Sequence, residues 1–173
     1  TLRTAGFASF DQNALRDVTK AVCDVLMFVG GSSGSTAGGV KTVTMGLVIL
    51  SAVSTMRGRR QVTVFGRSIS QEDISNAVSV ALLVMGLSLL GAAVITVCDG
   101  CSFMNAIYET ISALCTVGLT TGITPTLCTA SKLILIVFMF FGRVGIMTIG
   151  VGFMMGDRAK ERVQYAQTKV MIG

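Results

Sequence analysis

The segment at residues 77–98 carries no charged side chain and consists mostly of Ala, Val and Leu. About 20 apolar residues in a helix cross the hydrocarbon core of a bilayer. The whole composition agrees, because 13% of the residues are charged, against about 25% in a typical soluble domain. The sequence therefore predicts an integral membrane protein with a spanning helix at residues 77–98.

A second apolar span, at residues 133–156, contains a single charged residue, Arg143. A charge at the centre of a bilayer costs about 2.5–3.5 kcal/mol on insertion scales, so this side chain should face a polar cavity and find partners there. The alternative is an arginine near a helix end whose side chain reaches the membrane interface. The central position of Arg143 in the span disfavours that alternative.

Between these spans, residues 103–115 form a shorter amphipathic stretch, which is followed by the sequence TVGLTTG at residues 116–122. The stretch is too short to span a bilayer, and Asn105, Tyr108 and Glu109 would be costly facing lipid. We expect a short helix that enters the membrane and returns on the same side, then an extended loop. The predicted fold is an all-α membrane protein built from helix–pore loop–helix repeats.

Upstream, the apolar region at residues 17–56 is interrupted by GGSSGSTAGG at residues 30–39. Its flanks, at residues 21–29 and 43–53, are each too short to span a membrane, so together they predict one helix with a flexible segment at mid-depth. A phosphate-binding loop is disfavoured, because GxxxxGK[ST] needs Gly before the lysine and Val40 stands there. A passive linker between soluble domains is disfavoured by the apolar flanks.

The tetrapeptides TAGF at residues 4–7 and TVGL at residues 116–119 occupy equivalent places before the two last apolar regions. They indicate one and a half copies of a repeat. A selectivity filter needs backbone carbonyls directed at a dehydrated cation, and glycine allows the required backbone conformations. The tripeptide TxG alone occurs in many loops, but its position after a short amphipathic helix favours a filter.

The net charge of +5 is concentrated in two clusters, one in a linker and one in the tail. Both border apolar spans, so the positive-inside rule predicts that they are cytoplasmic. Aromatic residues are not interleaved with them, which disfavours nucleic-acid binding. The first cluster comprises Arg57, Arg59, Arg60 and Arg67, and the second comprises Arg158, Lys160, Arg162 and Lys169.

Cysteines occur as a C-x-x-C pair, Cys98 and Cys101, with Cys128 expected on the same outer face. A zinc or redox site would need further ligands, and the chain contains no His. Small packing residues or an incidental disulfide are therefore favoured over a zinc or redox site for these cysteines.

The predicted organisation has four parts. Residues 1–56 hold a filter segment and the broken helix, residues 57–76 a basic cytoplasmic linker, residues 77–156 a complete helix–pore–helix repeat, and residues 157–173 a cytoplasmic tail. The first residues include no initiator Met and no apolar signal segment. We expect the chain to be part of a longer protein.

Three segments resemble the potassium transporters of the Ktr/Trk/HKT superfamily: VGGSSGSTAGGVK at residues 29–41, ETISALCTVGLTTGITP at residues 109–125 and FMFFGRVGIMT at residues 138–148. The resemblance implies four non-identical repeats around one pore, of which this chain holds the end of the third and the whole fourth. It implies that the filter is formed by Thr4, Ala5, Gly6 and Phe7 together with Thr116, Val117, Gly118 and Leu119. One glycine per filter strand implies a less strict preference for K⁺ over Na⁺ than in a TVGYG filter.

The resemblance also implies that the glycine-rich segment lies under the filter as a gate, with Arg143 projecting beside it. Lys41 borders this segment and is either a partner of the gate or a structural residue. The predicted gate residues are Gly30, Gly31, Ser32, Ser33, Gly34, Ser35, Thr36, Ala37, Gly38, Gly39, Lys41 and Arg143.

The function implied is K⁺ uptake across the plasma membrane by a multi-pass protein that is not an enzyme and has no covalent cofactor. Na⁺ is expected as an activating or coupling ion. Expected partners are the lipid bilayer, a second pore subunit in a homodimer, and a cytoplasmic ring of nucleotide-binding regulatory subunits of the RCK type, with no nucleic acid. With two of four filter strands, the chain should not conduct alone.

Two alternatives remain. A secondary transporter with discontinuous helices would move another cation or a small solute and would need an ionisable coupling group at mid-depth. Arg143 is expected to be the one ionisable residue available for this role, with no intramembrane Asp or Glu following it, and this disfavours proton coupling. A non-transporting membrane scaffold would have no ordered filter.

Overall fold

The computed structural model describes residues 5–8, 11–31, 39–58, 63–64 and 67–144, and within them it is predominantly helical, as predicted. A small hairpin between the second and third helices was not predicted, and two short 3-10 turns are also present. The helices are α1 (Asp17–Phe28), α2 (Thr42–Met56), α3 (Gln71–Asp99), α4 (Phe103–Leu114) and α5 (Thr129–Val144). The antiparallel strands are β1 (Thr63–Val64) and β2 (Arg67–Ser68), and the turns are Gln12–Ala14 and Thr124–Thr126.

Helix α3 contains the predicted span at residues 77–98 and begins earlier, at Gln71. The hydroxyl of Ser70 caps this start, because it accepts a 3.1 Å hydrogen bond from the Asp73 amide. Acidic residues in the first turn add to the cap, since they interact favourably with the helix dipole. In the part of the chain that the structure describes, α3 is the one helix long and apolar enough to cross a membrane. In its most apolar stretch of 18 residues, 28% is buried inside the protein.

Helix α4 lies at the centre of the described fold, packed against α1, α3 and α5. Every residue from Tyr108 to Leu114 is buried. The predicted short helix at residues 103–115 is therefore confirmed as a helix, and Cys115 is its C-cap. The apolar core around it combines side chains of three helices, listed here by helix: Val84, Ala92 and Ile95 of α3, Ala106 and Leu114 of α4, and Leu135 and Phe138 of α5.

The predicted interruption of the first apolar region is confirmed as a break between α1 and α2. Val29 and Val40 form a parallel bridge across the break. The Gly30 amide donates to the Val40 carbonyl oxygen at 2.9 Å, and the Thr42 amide donates to the Gly31 carbonyl oxygen at 3.2 Å. The two ends of the break therefore lie together, and residues 32–38 lie outside the described residues.

Helix α5 covers the first part of the span predicted at residues 133–156, and the rest of that span lies outside the described residues. Its start is joined to the end of α3 by Asp99, whose carboxylate accepts a 2.6 Å hydrogen bond from the Cys128 amide and another from the Ser131 hydroxyl. An acceptor at this position satisfies amides that have no partner in the first turn of a helix. The contact thus fixes α5 relative to α3.

Close packing of α3 against α5 depends on Gly91. A methyl group at Gly91 would overlap the Phe138 ring and lie 3.2 Å from Cγ2 of Thr110. We expect Gly91→Ala to destabilise the full-length protein by about 1–3 kcal/mol, the usual cost of overpacking, and to lower its melting temperature in detergent. Gly86→Ala is the matched control, since it lies in the same helix with open space around it. Equal melting temperatures for the two variants would contradict the packing role.

Candidate functional site

The two TxG glycines lie in backbone contact, although they are far apart in the sequence. A methyl group at Gly6 would lie 2.7 Å from the Val117 carbonyl oxygen, and one at Gly118 would lie 3.6 Å from the Gly6 Cα. Both glycines have positive φ, +69° at Gly6 and +84° at Gly118. Glycine is the residue that adopts such angles without strain. The structure therefore brings together the two segments that the sequence marked as equivalent.

The segment at residues 116–119 leaves the end of α4 through a turn at Thr116 and continues without helix or strand structure. The side chains of Val117 and Leu119 are buried, while Gly118 between them is exposed. Val117 and Leu119 pack with Met27 of α1 and Tyr108 of α4. One face of the segment is thus held by the protein, and the backbone at Gly118 lies on the open side.

Two hydrogen bonds from one α4 residue hold this segment. The Val117 amide donates to the Ser112 carbonyl oxygen at 2.8 Å, and the Ser112 hydroxyl donates to the Leu119 carbonyl oxygen at 2.6 Å. Thr116, which lies between Ser112 and Val117 in the sequence, has φ +53°, a value that is uncommon for a β-branched residue. The predicted filter oxygen of Leu119 is thus already an acceptor within the protein, which makes it a poorer cation ligand than its neighbours.

The other predicted filter segment is only partly described. Ala5 and Phe7 are exposed, with Phe7 94% exposed, and Gly6 is half-buried against Gly118. Thr4 lies outside the described residues.

The predicted gate segment reaches the base of the residue 116–119 segment. Gly30 and Gly31 are buried, and Gly39 has φ +77°. A methyl group at Gly39 would lie 2.7 Å from Sγ of Cys115, the residue directly before Thr116. The end of the break therefore contacts the start of the predicted filter. Ser32, Ser33, Gly34, Ser35, Thr36, Ala37 and Gly38 lie outside the described residues, and Lys41 is exposed at the start of α2.

Arg143 is exposed in the last turn of α5 and lines a cavity of about 670 Å³. The cavity is also lined by Thr116 and Gly118, so Arg143 lies on the same open space as the predicted filter backbone. The next residue back, Gly142, allows this approach, because a methyl group there would overlap the Leu114 carbonyl oxygen. Helix α5 thus crosses α4 closely at its end.

Glu109 has a structural role that the sequence did not reveal. Its carboxylate is buried in α4 and accepts hydrogen bonds from Thr120, Thr121 and Thr124, which follow the predicted filter segment. Sequence reasoning noted only that Glu109 would be costly facing lipid. The signal that could have found the contacts is the density of threonines directly after TVGL.

Polar contacts of α4 with α1 and with the 3-10 turn before it (Gln12–Ala14) were also missed, because α1 was treated as an apolar flank. Lys20 is buried and its Nζ donates to Asn105 Oδ1 at 2.9 Å, while the Tyr108 hydroxyl donates to Gln12 Oε1 at 3.0 Å. Asp24 is 7% exposed, and its Oδ1 has no hydrogen-bond partner among the described residues. The spacing of Lys20 and Asp24, which places both on one helix face, was the available signal.

The cysteines are not paired with one another in this structure. Burial raises the pKa of Cys101, which lies in the turn between α3 and α4. Within the residues that the structure describes, no group of three His, Cys, Asp or Glu side chains is placed to bind a metal ion.

Comparison with known proteins identifies the family. The sequence model of the family described as TrkH, cation transport protein, matches residues 1–161. The chain is 37% identical to Ktr system potassium uptake protein B of Bacillus subtilis over 173 residues, and covers 38% of that protein. It is 34% identical to the potassium/sodium uptake protein NtpJ of Enterococcus hirae, with all of the chain aligned to 40% of that protein.

The chain therefore spans about two fifths of the length of these relatives. The match to the family nevertheless extends over almost the whole chain, from the first TxG segment to beyond Arg143. The chain belongs to the TrkH family of cation transport proteins.

Proposed function

We propose that the full-length protein containing this chain takes up K⁺ across the plasma membrane through a filter of backbone carbonyls. The observation that carries the proposal is the contact between Gly6 and Gly118, two glycines with positive φ from separate segments. The relatives named as potassium uptake proteins support K⁺ as the ion.

The chemistry of the proposed site is replacement of the hydration shell. K⁺ is a hard cation, and carbonyl oxygens of Thr116, Val117 and Gly118, with those of residues 4–6, would take the place of its water ligands. Helix α4 ends at Leu114 with Cys115 as its C-cap, directly before Thr116, and the end carbonyls of a helix carry partial negative charge. A cation beside residues 116–118 is therefore favoured by both the carbonyls and the helix end.

The proposed gate is the segment at residues 30–39, together with Arg143. Gly39 lies against Cys115 at the base of the predicted filter, and Arg143 lines the cavity that Gly118 also lines. A positive charge at this position raises the energy of a cation in the pathway. Movement of the segment away from the filter base would open the route for ions.

The proposed assembly follows the resemblance described above. Two pore subunits form a homodimer, and a cytoplasmic ring of nucleotide-binding RCK-type subunits contacts the basic linker and the tail. Na⁺ is proposed as an activating or coupling ion, which is consistent with the potassium/sodium name of one relative. In this arrangement residues 57–76 and 157–173 are cytoplasmic.

A second candidate function is a secondary transporter with discontinuous helices. Two observations favour it: the break between α1 and α2, and the buried carboxylate of Asp24 beside it in α1. Asp24 and Lys20 are buried ionisable groups in α1, in addition to Arg143, and either could serve as the coupling group that such a transporter needs. Broken helices with ionisable groups nearby are typical of such transporters.

Complementation tests the proposed function. The full-length parent is expected to restore growth of a cell that lacks its own K⁺ uptake systems, at low external K⁺. Uptake of ⁸⁶Rb⁺ into proteoliposomes, measured with and without an imposed pH gradient, separates the two candidates. Flux that follows the K⁺ gradient alone supports the filter proposal, and flux that requires the pH gradient supports a coupled transporter. Failure to rescue growth, with the protein present in the membrane, would refute K⁺ uptake.

A further inference from the structure

Glu109 accepts hydrogen bonds with both oxygens of its buried carboxylate. Oε1 accepts from the Thr120 hydroxyl at 2.6 Å, the Thr121 amide at 2.9 Å and the Thr121 hydroxyl at 3.2 Å. Oε2 accepts from the Thr124 hydroxyl at 3.2 Å. Glu109 is 5% exposed, and a buried carboxylate is tolerated where such donors surround it. One side chain of α4 thus binds three residues of the following loop.

The loop at residues 120–124, here named the threonine loop, is also bonded within itself. The Gly122 amide donates to the Thr120 hydroxyl at 2.9 Å. The Thr120 and Thr124 hydroxyls lie 2.8 Å apart, and because each hydroxyl has one proton, Thr124 donates either to Thr120 or to Glu109 Oε2 while Thr120 donates to Glu109. The loop therefore folds around the carboxylate of Glu109 as a unit. It begins directly after Leu119, the last residue of the predicted filter segment.

Helix α4 consequently holds the predicted filter segment at two places, within the segment and directly after it. Ser112 bonds to Val117 and Leu119 within the segment, and Glu109 bonds to the threonine loop after it. Ser112 and Glu109 are three residues apart, so they lie on the same face of α4. Between Leu119 and the start of α5 at Thr129, the one helical element is the short 3-10 turn Thr124–Thr126, so these contacts help to define where the outer end of the segment lies.

We propose that Glu109 is a positioning residue for ion selectivity, which fixes the outer end of the filter segment through the threonine loop. This inference rests on the proposed K⁺ filter. Selectivity between K⁺ and Na⁺ depends on the size and field of the carbonyl cage, and a functional constellation must be held within about 0.5 Å. Thr121 is 1% exposed. Loss of the Glu109 carboxylate therefore leaves the buried Thr121 amide without a hydrogen-bond acceptor. The loop must then rearrange, and Leu119 moves with it.

The test uses the full-length parent with Glu109→Ala and Glu109→Gln. Glu109→Ala is expected to lower the K⁺/Na⁺ uptake ratio by about tenfold, since a hydrogen bond to a charged group is worth about that factor. Glu109→Gln keeps an acceptor oxygen towards Thr121, and the Thr124 hydroxyl can turn to accept from the new amide, so a ratio within about twofold of the parent is expected. Uptake is normalised to the amount of protein in the membrane, and maximal rate and half-saturating K⁺ concentration are measured separately.

Two threonine variants keep the test decisive if Glu109→Ala does not reach the membrane. Thr121→Val removes a hydroxyl that donates to Glu109, and the K⁺/Na⁺ ratio is expected to fall. Thr126→Val is the matched control, because its hydroxyl donates to the Ile123 carbonyl oxygen instead, and the ratio is expected to stay unchanged.

The outcomes separate this inference from the proposed function. If the parent shows no K⁺ uptake, the proposed function and the inference both fail. If the parent takes up K⁺ while Glu109→Ala and Thr121→Val keep its K⁺/Na⁺ ratio, the inference fails alone. If Glu109→Gln loses selectivity as fully as Glu109→Ala, positioning by hydrogen bonds is refuted.

Discussion

Gly118→Ser in the full-length parent is expected to lower the preference for K⁺ over Na⁺ by about tenfold. Gly118 has φ +84°, and a residue with a Cβ in a left-handed conformation costs roughly 1–2 kcal/mol. The backbone can relieve this strain by rotating the neighbouring peptide groups, which turns their carbonyl oxygens away from the proposed ion site. A change of about 1.4 kcal/mol in the relative binding of two ions is a tenfold change in preference. Competitive ⁸⁶Rb⁺ uptake against Na⁺ measures it.

Gly58→Ser is the matched control for this variant. Gly58 has φ +67°, with open space around it in the linker after α2, so the substitution introduces similar backbone strain away from the predicted filter. Its K⁺/Na⁺ ratio is expected to equal that of the parent. Equal losses of selectivity in Gly58→Ser and Gly118→Ser would show that general destabilisation, rather than the filter, is responsible.

Alanine variants of Gly6 and Gly118, the two glycines of the proposed filter, are expected to differ from each other. At Gly6 the added methyl group would lie 2.7 Å from the Val117 carbonyl oxygen, closer than real Cβ contacts, whereas at Gly118 the nearest atom is 3.6 Å away. Gly6→Ala must therefore displace the Val117 carbonyl, while Gly118→Ala introduces backbone strain alone. A larger loss of selectivity is expected for Gly6→Ala.

Deletion of residues 33–37 is expected to raise K⁺ flux by about tenfold or more. The deletion shortens the proposed gate, and a tenfold rise corresponds to loss of about 1.4 kcal/mol of preference for the closed state. The hydrogen bonds of Gly30 with Val40 and of Gly31 with Thr42 remain, so the junction of α1 and α2 should survive. Initial rates of ⁸⁶Rb⁺ efflux from proteoliposomes measure the change.

A variant with the same five residues in permuted order is the control for the deletion. This variant keeps the length and composition of the segment. If the loop closes the pathway by its size, the K⁺ flux of this variant is expected to equal that of the parent. Unchanged flux in the deletion variant would contradict the gating role of this segment.

Helices and breaks were predicted well where a single physical pattern dominates. The uncharged run at residues 77–98 fits a helix alone, and ten residues of Gly, Ser, Thr and Ala at residues 30–39, five of them Gly, have little intrinsic helical stability. The end of α4 before TVGL followed from the same kind of local argument. These features depend on short-range backbone preferences, which a sequence displays directly.

Contacts between distant residues could not be predicted in the same way. Glu109 bonds to residues eleven to fifteen positions later, and Lys20 bonds to Asn105 across 85 positions. A carboxylate in an apolar helix predicts that some donor exists, but the packing of α4 against the loop decides which one. The earlier start of α3 at Gln71 reflects the Ser70 cap, which lies in a polar stretch that a search for apolar spans does not include.

The meeting of the two ends of the α1–α2 break has a consequence for how fast the proposed gate would act. Because Gly30 bonds to Val40 and Gly31 bonds to Thr42, the proposed gate would not need α1 or α2 to move apart when it opens. Loop motions of this kind occur in nanoseconds to microseconds, whereas collective helix movements take microseconds to milliseconds. If this segment alone controlled opening, each opening would be brief, and a flux measured over many molecules would report only the average of open and closed states. Long-lived open periods would require the surrounding helices to move as well.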